Sequence, residues 1–224
     1  MLNSQDWRTD TAGLTQEQFA IIGADPRTGG EVLLNGKPLN CRSPHDAIAN
    51  GVVMVPEDRK LQGIIPRMSV GKNISIGSLD QITNRLGIVN TRREEQIGLD
   101  GKANFNIKTP NLEKPIVELS GGNQQKAIVA RWMSTKPEVL ILDEPTKGID
   151  VGAKREIYEV INSLVAQGKA IIVISSEMEE IMGICDRIIV IHEGCIAGEL
   201  AREEFSQKTI SEYAIGGKEY VPFV

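Results

Sequence analysis

This 224-residue sequence predicts an α/β fold: a mostly parallel sheet with flanking helices, a small antiparallel edge and a helical subdomain. Three observations predict it. Short apolar runs at Val52–Val55, Val139–Leu142, Ala170–Ile174 and Ile188–Ile191 alternate with helical spacing, the pattern of strands covered on both faces. Asn35-Gly36 sits between two short apolar stretches, a strong hairpin signal. From about Leu61 to Lys114 the chain turns polar and glycine-interrupted, which fits an inserted set of helices.

The elements follow in order. Gly30–Leu39 forms the hairpin, and Ser43-Pro44 supplies an N-cap and first-turn proline to a short helix through Ala47-Ile48-Ala49, stopped by Gly51. Val52–Val55 is a buried strand. Ser69 caps a helix in the polar stretch, where Val70, Ile74 and Ile76 offer apolar contacts. A helix runs from Gln124 to Met133, and the Val139–Leu142 strand follows Lys136-Pro137. Ile157, Val160, Ile161 and Leu164 fall at helical spacing, Gly168 ends that helix, and Ala170–Ile174 is the next strand. Another short helix leads to Arg187–Ile191, and a His192–Cys195 turn returns the chain through Ile196 to Leu200. The tail after about Gly216 reads as frayed.

Composition bounds the function. Hydrophobic residues make up 41% and charged residues 25%, enough apolar side chain for a sizeable core. No apolar run approaches the roughly 18 to 20 residues of a bilayer span, so a soluble or peripheral chain is expected. The start, Met1-Leu2-Asn3-Ser4, carries no basic segment before an apolar one, which predicts a cytosolic location. A net charge of -5 gives no electrostatic reason to expect nucleic acid as a partner. Cys41, Cys185 and Cys195 lack Cys-x-x-Cys spacing and, with His45 and His192, suggest structural or incidental roles rather than a metal cluster.

Two stretches carry chemistry. Asp143 and Glu144 end an apolar strand, so both side chains can turn to a ligand at the sheet edge. Asp143 would hold Mg2+ and Glu144 would polarise an attacking water. The bland alternative is a strand ending in a solvated turn. Ser120-Gly121-Gly122 opening a helix places free N–H groups and the positive end of a helix dipole where a γ-phosphate fits. The alternative there is a capped helix after a flexible loop.

Leu119-Ser120-Gly121-Gly122-Asn123 resembles the signature motif of ATP-binding-cassette ATPases, Val139–Glu144 their Walker B strand, and Lys147-Gly148-Ile149-Asp150 their D-loop. Longer strings resemble the C-terminal cassette of tandem ATP-binding subunits in bacterial monosaccharide importers: Val55–Lys60, Gly121–Lys126, Gly148–Lys154 and Ile174–Met178. The resemblance spans about Thr11 to Gly217. It implies a P-loop NTPase-like fold, ATP and Mg2+ as cofactors, and ATPase activity within an assembly. It also implies one partial cassette over residues 1–224: a remnant of a degenerate phosphate-loop region at 1–29, an α/β core at 30–60 and 124–215, and a helical subdomain with the signature at 61–123.

The resemblance assigns roles by position. Ser120, Gly121, Gly122 and Asn123 form the signature, Asp143 is the metal ligand, Glu144 the catalytic base and Asp150 part of the D-loop. Glu57 stands where most cassettes carry the Q-loop glutamine, Asn123 where the signature usually has glutamine, and Ser176 at the switch-histidine position. A serine hydroxyl there makes weaker hydrogen bonds than an imidazole, so slow or rearranged hydrolysis is expected. Read back from Gly23–Pro26, the phosphate loop G-x-x-x-x-G-K-S/T falls on Arg8 through Thr15, where only Gly13 and Thr15 match. Arg8 replaces the first glycine and Leu14 the lysine. On a scale of about 1.5 to 3 kcal/mol per charge-assisted hydrogen bond, the isolated chain is expected to bind ATP weakly or not at all. Only seven residues precede Arg8, too few for the family's antiparallel strands and adenine-stacking aromatic, so the chain reads as truncated.

The partners implied are a second cassette docked head to tail, a membrane permease and, indirectly, a periplasmic or extracellular sugar-binding protein. The location implied is peripheral, on the cytoplasmic side of the plasma membrane. Asp58 to about Ile76 corresponds to the groove for a permease coupling helix. Met68, Val70 and Ile74 either contact that helix or pack inside the subdomain. The function expected is the ATP-binding subunit of an importer, coupling ATP binding and hydrolysis to monosaccharide import. The alternative is a truncated, catalytically impaired cassette acting as dimerisation partner and signature donor, or a gene remnant without activity. Soluble cassette ATPases acting on DNA or ribosomes would carry coiled-coil insertions or basic linkers, and the sequence has neither.

Overall fold

The computed structural model describes residues 15–27 and 29–216. They form two compact units: the described residues up to Asn50 together with those from Val173 onward, and Gly51–Ile172.

The first unit begins with α1 (Thr15–Ile21), followed by β1 (Leu33–Leu34) and β2 (Lys37–Pro38), paired antiparallel. Asn35 (φ 51°) and Gly36 (φ 74°) both take the left-handed backbone, as a two-residue turn between twisted strands requires. In α2 (Pro44–Ala49), the Ser43 hydroxyl accepts from the Asp46 N–H at 3.3 Å and a proline opens the first turn.

The second unit starts as the sequence predicts, with Gly51 at φ 80° and then β3 (Val52–Val55), buried throughout. The polar stretch becomes a π-helical turn over Arg59–Gly63, α3 (Val70–Ser75), α4 (Leu79–Ile82) and α5 (Thr91–Asn104), and α6 (Gly121–Met133) follows it. Ser69 caps α3 through the Lys72 N–H at 3.4 Å. Val70 and Ile74 are 0% exposed, in a helix that packs on α5 and α6. Of the two alternatives, coupling-helix contact or internal packing, the structure has internal packing for Val70 and Ile74. Gly101 permits this packing, since a Cβ there would stand 2.7 Å from Ile74 Cγ2.

β4 (Val139–Asp143) pairs parallel with β3, Val52 opposite Val139 through Val55 opposite Leu142. α7 (Val151–Ala166) buries Ile157, Ile161 and Leu164, and β5 (Ala170–Ile174) completes a three-stranded sheet in the order β3-β4-β5. β3 is buried, but the outer strand β5 is not, and Ile172 is 44% exposed.

The first unit resumes with α8 (Met178–Ile184), β6 (Arg187–His192), β7 (Cys195–Ala201) and α9 (Gln207–Ala214), the last capped by Ser206. The tight turn at Glu193 (φ 50°) and Gly194 (φ 73°) folds β7 antiparallel onto β6, so among the described residues these strands form their own ribbon. Ile188, Val190, Leu200 and Ile210 make its core. The tail beyond Gly216 lies outside the described residues. No helix among the described residues is long and apolar enough to cross a membrane.

Candidate functional site

The chemistry converges on the start of α6. Helix formation begins at Gly121, three residues before the expected Gln124, so the two glycines lie inside the first turn. A helix cannot satisfy its first N–H groups internally, and the side chain of Ser120 makes no capping bond. The amide of half-buried Gly121 thus has no partner within the helix and lies at the positive end of its dipole, whereas Gly122 is buried. Ser120 is exposed. The bland alternative of a capped helix does not hold.

What fixes the serine lies beside it. Asn123 Nδ2 donates to Ser120 Oγ at 2.9 Å, and the Lys108 N–H donates to Asn123 Oδ1 at 2.7 Å. A backbone N–H can only donate, so the amide oxygen faces Lys108 and the amide nitrogen faces Ser120. The serine oxygen is already an acceptor, which leaves its proton to be donated outward. The result is a hydroxyl donor beside an uncapped helix N-terminus, a constellation suited to a phosphate. Gly122 lies against α7, where a Cβ would stand 2.7 Å from Ala153 Cβ.

Two further segments meet this turn. Arg59 Nε donates to Gln124 Oε1 at 3.2 Å and Nη1 to the Lys147 carbonyl at 3.4 Å. A Cβ on Gly121 would stand 2.9 Å from Arg59 Nη2 and 3.4 Å from the Gly148 carbonyl oxygen, so the glycine lets the guanidinium and the Lys147-Gly148 turn approach. Burial lowers the pKa of Arg59, partly offset by Asp58. Gln124 Nε2 in turn donates to the Ile116 and Leu119 carbonyls at 3.2 and 3.1 Å. Lys147 pairs with Glu57, which holds the ammonium pKa up by hydrogen bond and charge, with smaller contributions from Glu144 and Asp143. Glu57, Arg59, the signature residues and Lys147-Gly148 are thus one connected cluster.

Asp143, the last residue of β4, is 2% exposed, whereas Glu144 is half-buried with a left-handed backbone at φ 45°. Thr146, 1% exposed, carries a hydroxyl oxygen with no hydrogen-bond partner among the described residues. A buried carboxylate with this hydroxyl close in sequence fits the all-oxygen preference of Mg2+. Asp150 caps α7, its Oδ1 accepting from the Ala153 N–H at 2.9 Å. Ser176 follows β5 in the first unit and is exposed. Thr15 opens α1, while Gly13, with Arg8 and Leu14, lies outside the described residues. Sequence reasoning missed the parts played by Arg59 and Lys108. Arg59 was visible only as a letter in the Val55–Lys60 string.

Residues 15–147 match the family model described as ABC transporter. The chain is 47% identical over 204 residues to the ribose import ATP-binding protein RbsA of Clostridium tetani (strain Massachusetts / E88), covering 91% of this chain and 40% of that protein. It is 49% identical over 205 residues to its counterpart in Clostridium perfringens (strain 13 / Type A), covering 92% and 41%. The chain therefore spans about two-fifths of the length of these curated relatives. Among solved structures, the ATP-binding cassette MJ1267 of an ABC transporter matches with a TM-score of 0.76 at 21% identity, over 90% of this chain and 83% of that one. The dimeric post-hydrolysis cassette MJ0796 bound to ADP and Pi matches with a TM-score of 0.70 at 19% identity, over 85% and 81%. At these identities the structural likeness concerns the fold.

Proposed function

The chain belongs to the ABC transporter family, and from that premise we propose that it is an ATP-binding cassette of a monosaccharide importer, with ribose the favoured sugar because the relatives named above are ribose import proteins. Ser120, Gly121 and Gly122 grip the terminal phosphate of ATP held by a second cassette docked head to tail. Asp143 would hold Mg2+, which when bound offsets phosphate charge. Glu144 takes the proton of the attacking water. The assembly lies on the cytoplasmic side of the membrane against a permease, which turns closure and reopening of the cassette pair into movement of sugar delivered by an external binding protein. The sugar itself does not meet this chain.

One observation carries the reading: Ser120 leaves its own helix uncapped while its hydroxyl is oriented by Asn123. A second reading, signature donor only, is favoured by Arg8 and Leu14 at the phosphate-loop position. Both are tested by mixing the chain with a complete cassette whose own signature serine is replaced by alanine and measuring Mg-ATP hydrolysis. The chain should restore hydrolysis, and Ser120→Ala should lower that restoration more than Glu144→Gln does. The opposite ranking rejects a signature-donor role, and hydrolysis by the chain alone rejects the donor-only reading.

A further inference from the structure

Behind the signature turn runs a set of bonds that no motif includes. Glu156, on α7, receives Lys108 Nζ on Oε1 at 2.6 Å and Lys126 Nζ on Oε2 at 2.8 Å. Lys126 belongs to α6, its side chain is only 2% exposed, and its ammonium also donates to the Asn106 carbonyl at 2.7 Å. Asn106 has a left-handed backbone (φ 47°), so the short segment 106–108 turns sharply and is clasped at both ends. From its far end, the Lys108 N–H donates to Asn123, and Asn123 donates to Ser120.

Resting on the reading of Ser120 as a phosphate ligand, we propose that Glu156 is a positioning residue for that serine. Through Lys108 and Asn123 it holds the hydroxyl proton outward, toward the terminal phosphoryl group of a nucleoside triphosphate on the facing cassette.

Polarity at each step supports this. An ammonium only donates and a carboxylate only accepts, so Lys108 and Glu156 meet one way. The amide of Asn123 has two orientations. With the oxygen toward Lys108, its nitrogen donates to Ser120 and frees the serine proton. Turned by half a rotation, the oxygen would take that proton itself and point it away from any phosphate. The anchored 106–108 segment selects the first orientation, because only there does the Lys108 N–H find its acceptor. The two lysines hold the Glu156 carboxyl down at about 2, so the anchor stays ionised throughout the physiological range.

Two variants test the proposal. Glu156→Gln weakens both ion pairs but strands buried Lys126. Lys108→Met spares the Lys126–Glu156 pair and guards against simple unfolding, which a thermal melt of each variant monitors. In the whole chain, hydrogen exchange at the Lys108 backbone amide, followed by NMR, should quicken by about tenfold in both, and unchanged exchange overturns the relay. In the mixed-cassette assay each variant should lower turnover by about five- to tenfold, the scale of one hydrogen bond. Placed on a Ser120→Ala background, neither should lower it further. Additive losses in the double variants mean that Glu156 acts on general stability and overturn the positioning role. A Ser120→Ala variant that hydrolyses as fast as the parent rejects the phosphate-ligand reading instead, while the exchange result still decides the relay.

Discussion

α6 and α7 begin with nearly the same backbone, Ser120 at φ -61°, ψ 156° and Asp150 at φ -67°, ψ 154°, yet their first turns are chemically opposite. Asp150 folds its carboxylate back onto the Ala153 N–H and closes its helix, as Ser43, Ser69 and Ser206 close theirs. Ser120 turns its oxygen to Asn123 instead and leaves the first turn behind it uncapped. A filled cap stabilises the helix it starts. An open one gives up that stabilisation, about 1 kcal/mol, and presents donors to something outside the chain.

This difference requires that α6 be secured elsewhere than at its start. Arg131, 6% exposed, donates to the Asn73 carbonyl at 2.6 Å, the Gly63 carbonyl at 2.7 Å and Asn73 Oδ1 at 2.8 Å. Burial pushes its pKa down to about 10, which leaves it cationic at neutral pH. Arg131→Ala strands these acceptors and should cost about 3 kcal/mol, read from the midpoint of urea unfolding. A loss below about 1 kcal/mol would mean that α6 is held by its apolar face alone.

The next largest effect separates the two starts directly. Ser120→Ala should leave the melting temperature nearly unchanged while lowering hydrolysis in the mixed-cassette assay by about a hundredfold, the scale of losing one preorganised donor. Asp150→Ala should do the reverse in stability and cost about 1 kcal/mol, seen as an earlier thermal transition. If Ser120→Ala melts as early as Asp150→Ala, the open cap is no different from the filled one.

The smallest effect concerns acid. Glu156 has its carboxyl held at about 2 against an ordinary 4.5. A depressed carboxyl contributes stability that is complete above the unfolded value and lost as pH falls toward the folded one. The chain should therefore lose stability between about pH 4.5 and 2, and Glu156→Gln should flatten that part of a denaturation series. Equal slopes in parent and variant would detach the α7 carboxylate from the stability of the signature region.

What was legible in the sequence was local. Asn35-Gly36, Ser43-Pro44, Gly51 and Gly168 each specify a backbone geometry within a few residues, and the structure has the predicted turn or stop at each. The apolar runs gave the strands, because continuous Val and Ile at these lengths has few other uses. The motif reading, with Ser120-Gly121-Gly122 opening a helix, marks where α6 begins, while periodicity alone starts it only at Gln124 because glycine lowers helix propensity. Nothing in the sequence around Lys126 and Arg131 marks these two charges as interior. They are buried because their acceptors lie 20 to 68 residues away in sequence, a distance no window of periodicity spans. Val70 and Ile74 were ambiguous for the same reason, since an apolar residue's spacing does not say which surface covers it. Of the candidate site, the motif strings gave Ser120, Gly121 and Gly122, and the bonds that orient the serine came only with three dimensions.

The left-handed backbone of Glu144 has its own consequence. For a residue with a long side chain that geometry is uphill by about 1 to 2 kcal/mol, and glycine or asparagine would relieve it. A screen of this chain for heat tolerance should therefore enrich Glu144→Gly and Glu144→Asn, and on the proposed reading of Glu144 as the proton acceptor its most robust survivors would be those least able to cleave a nucleotide.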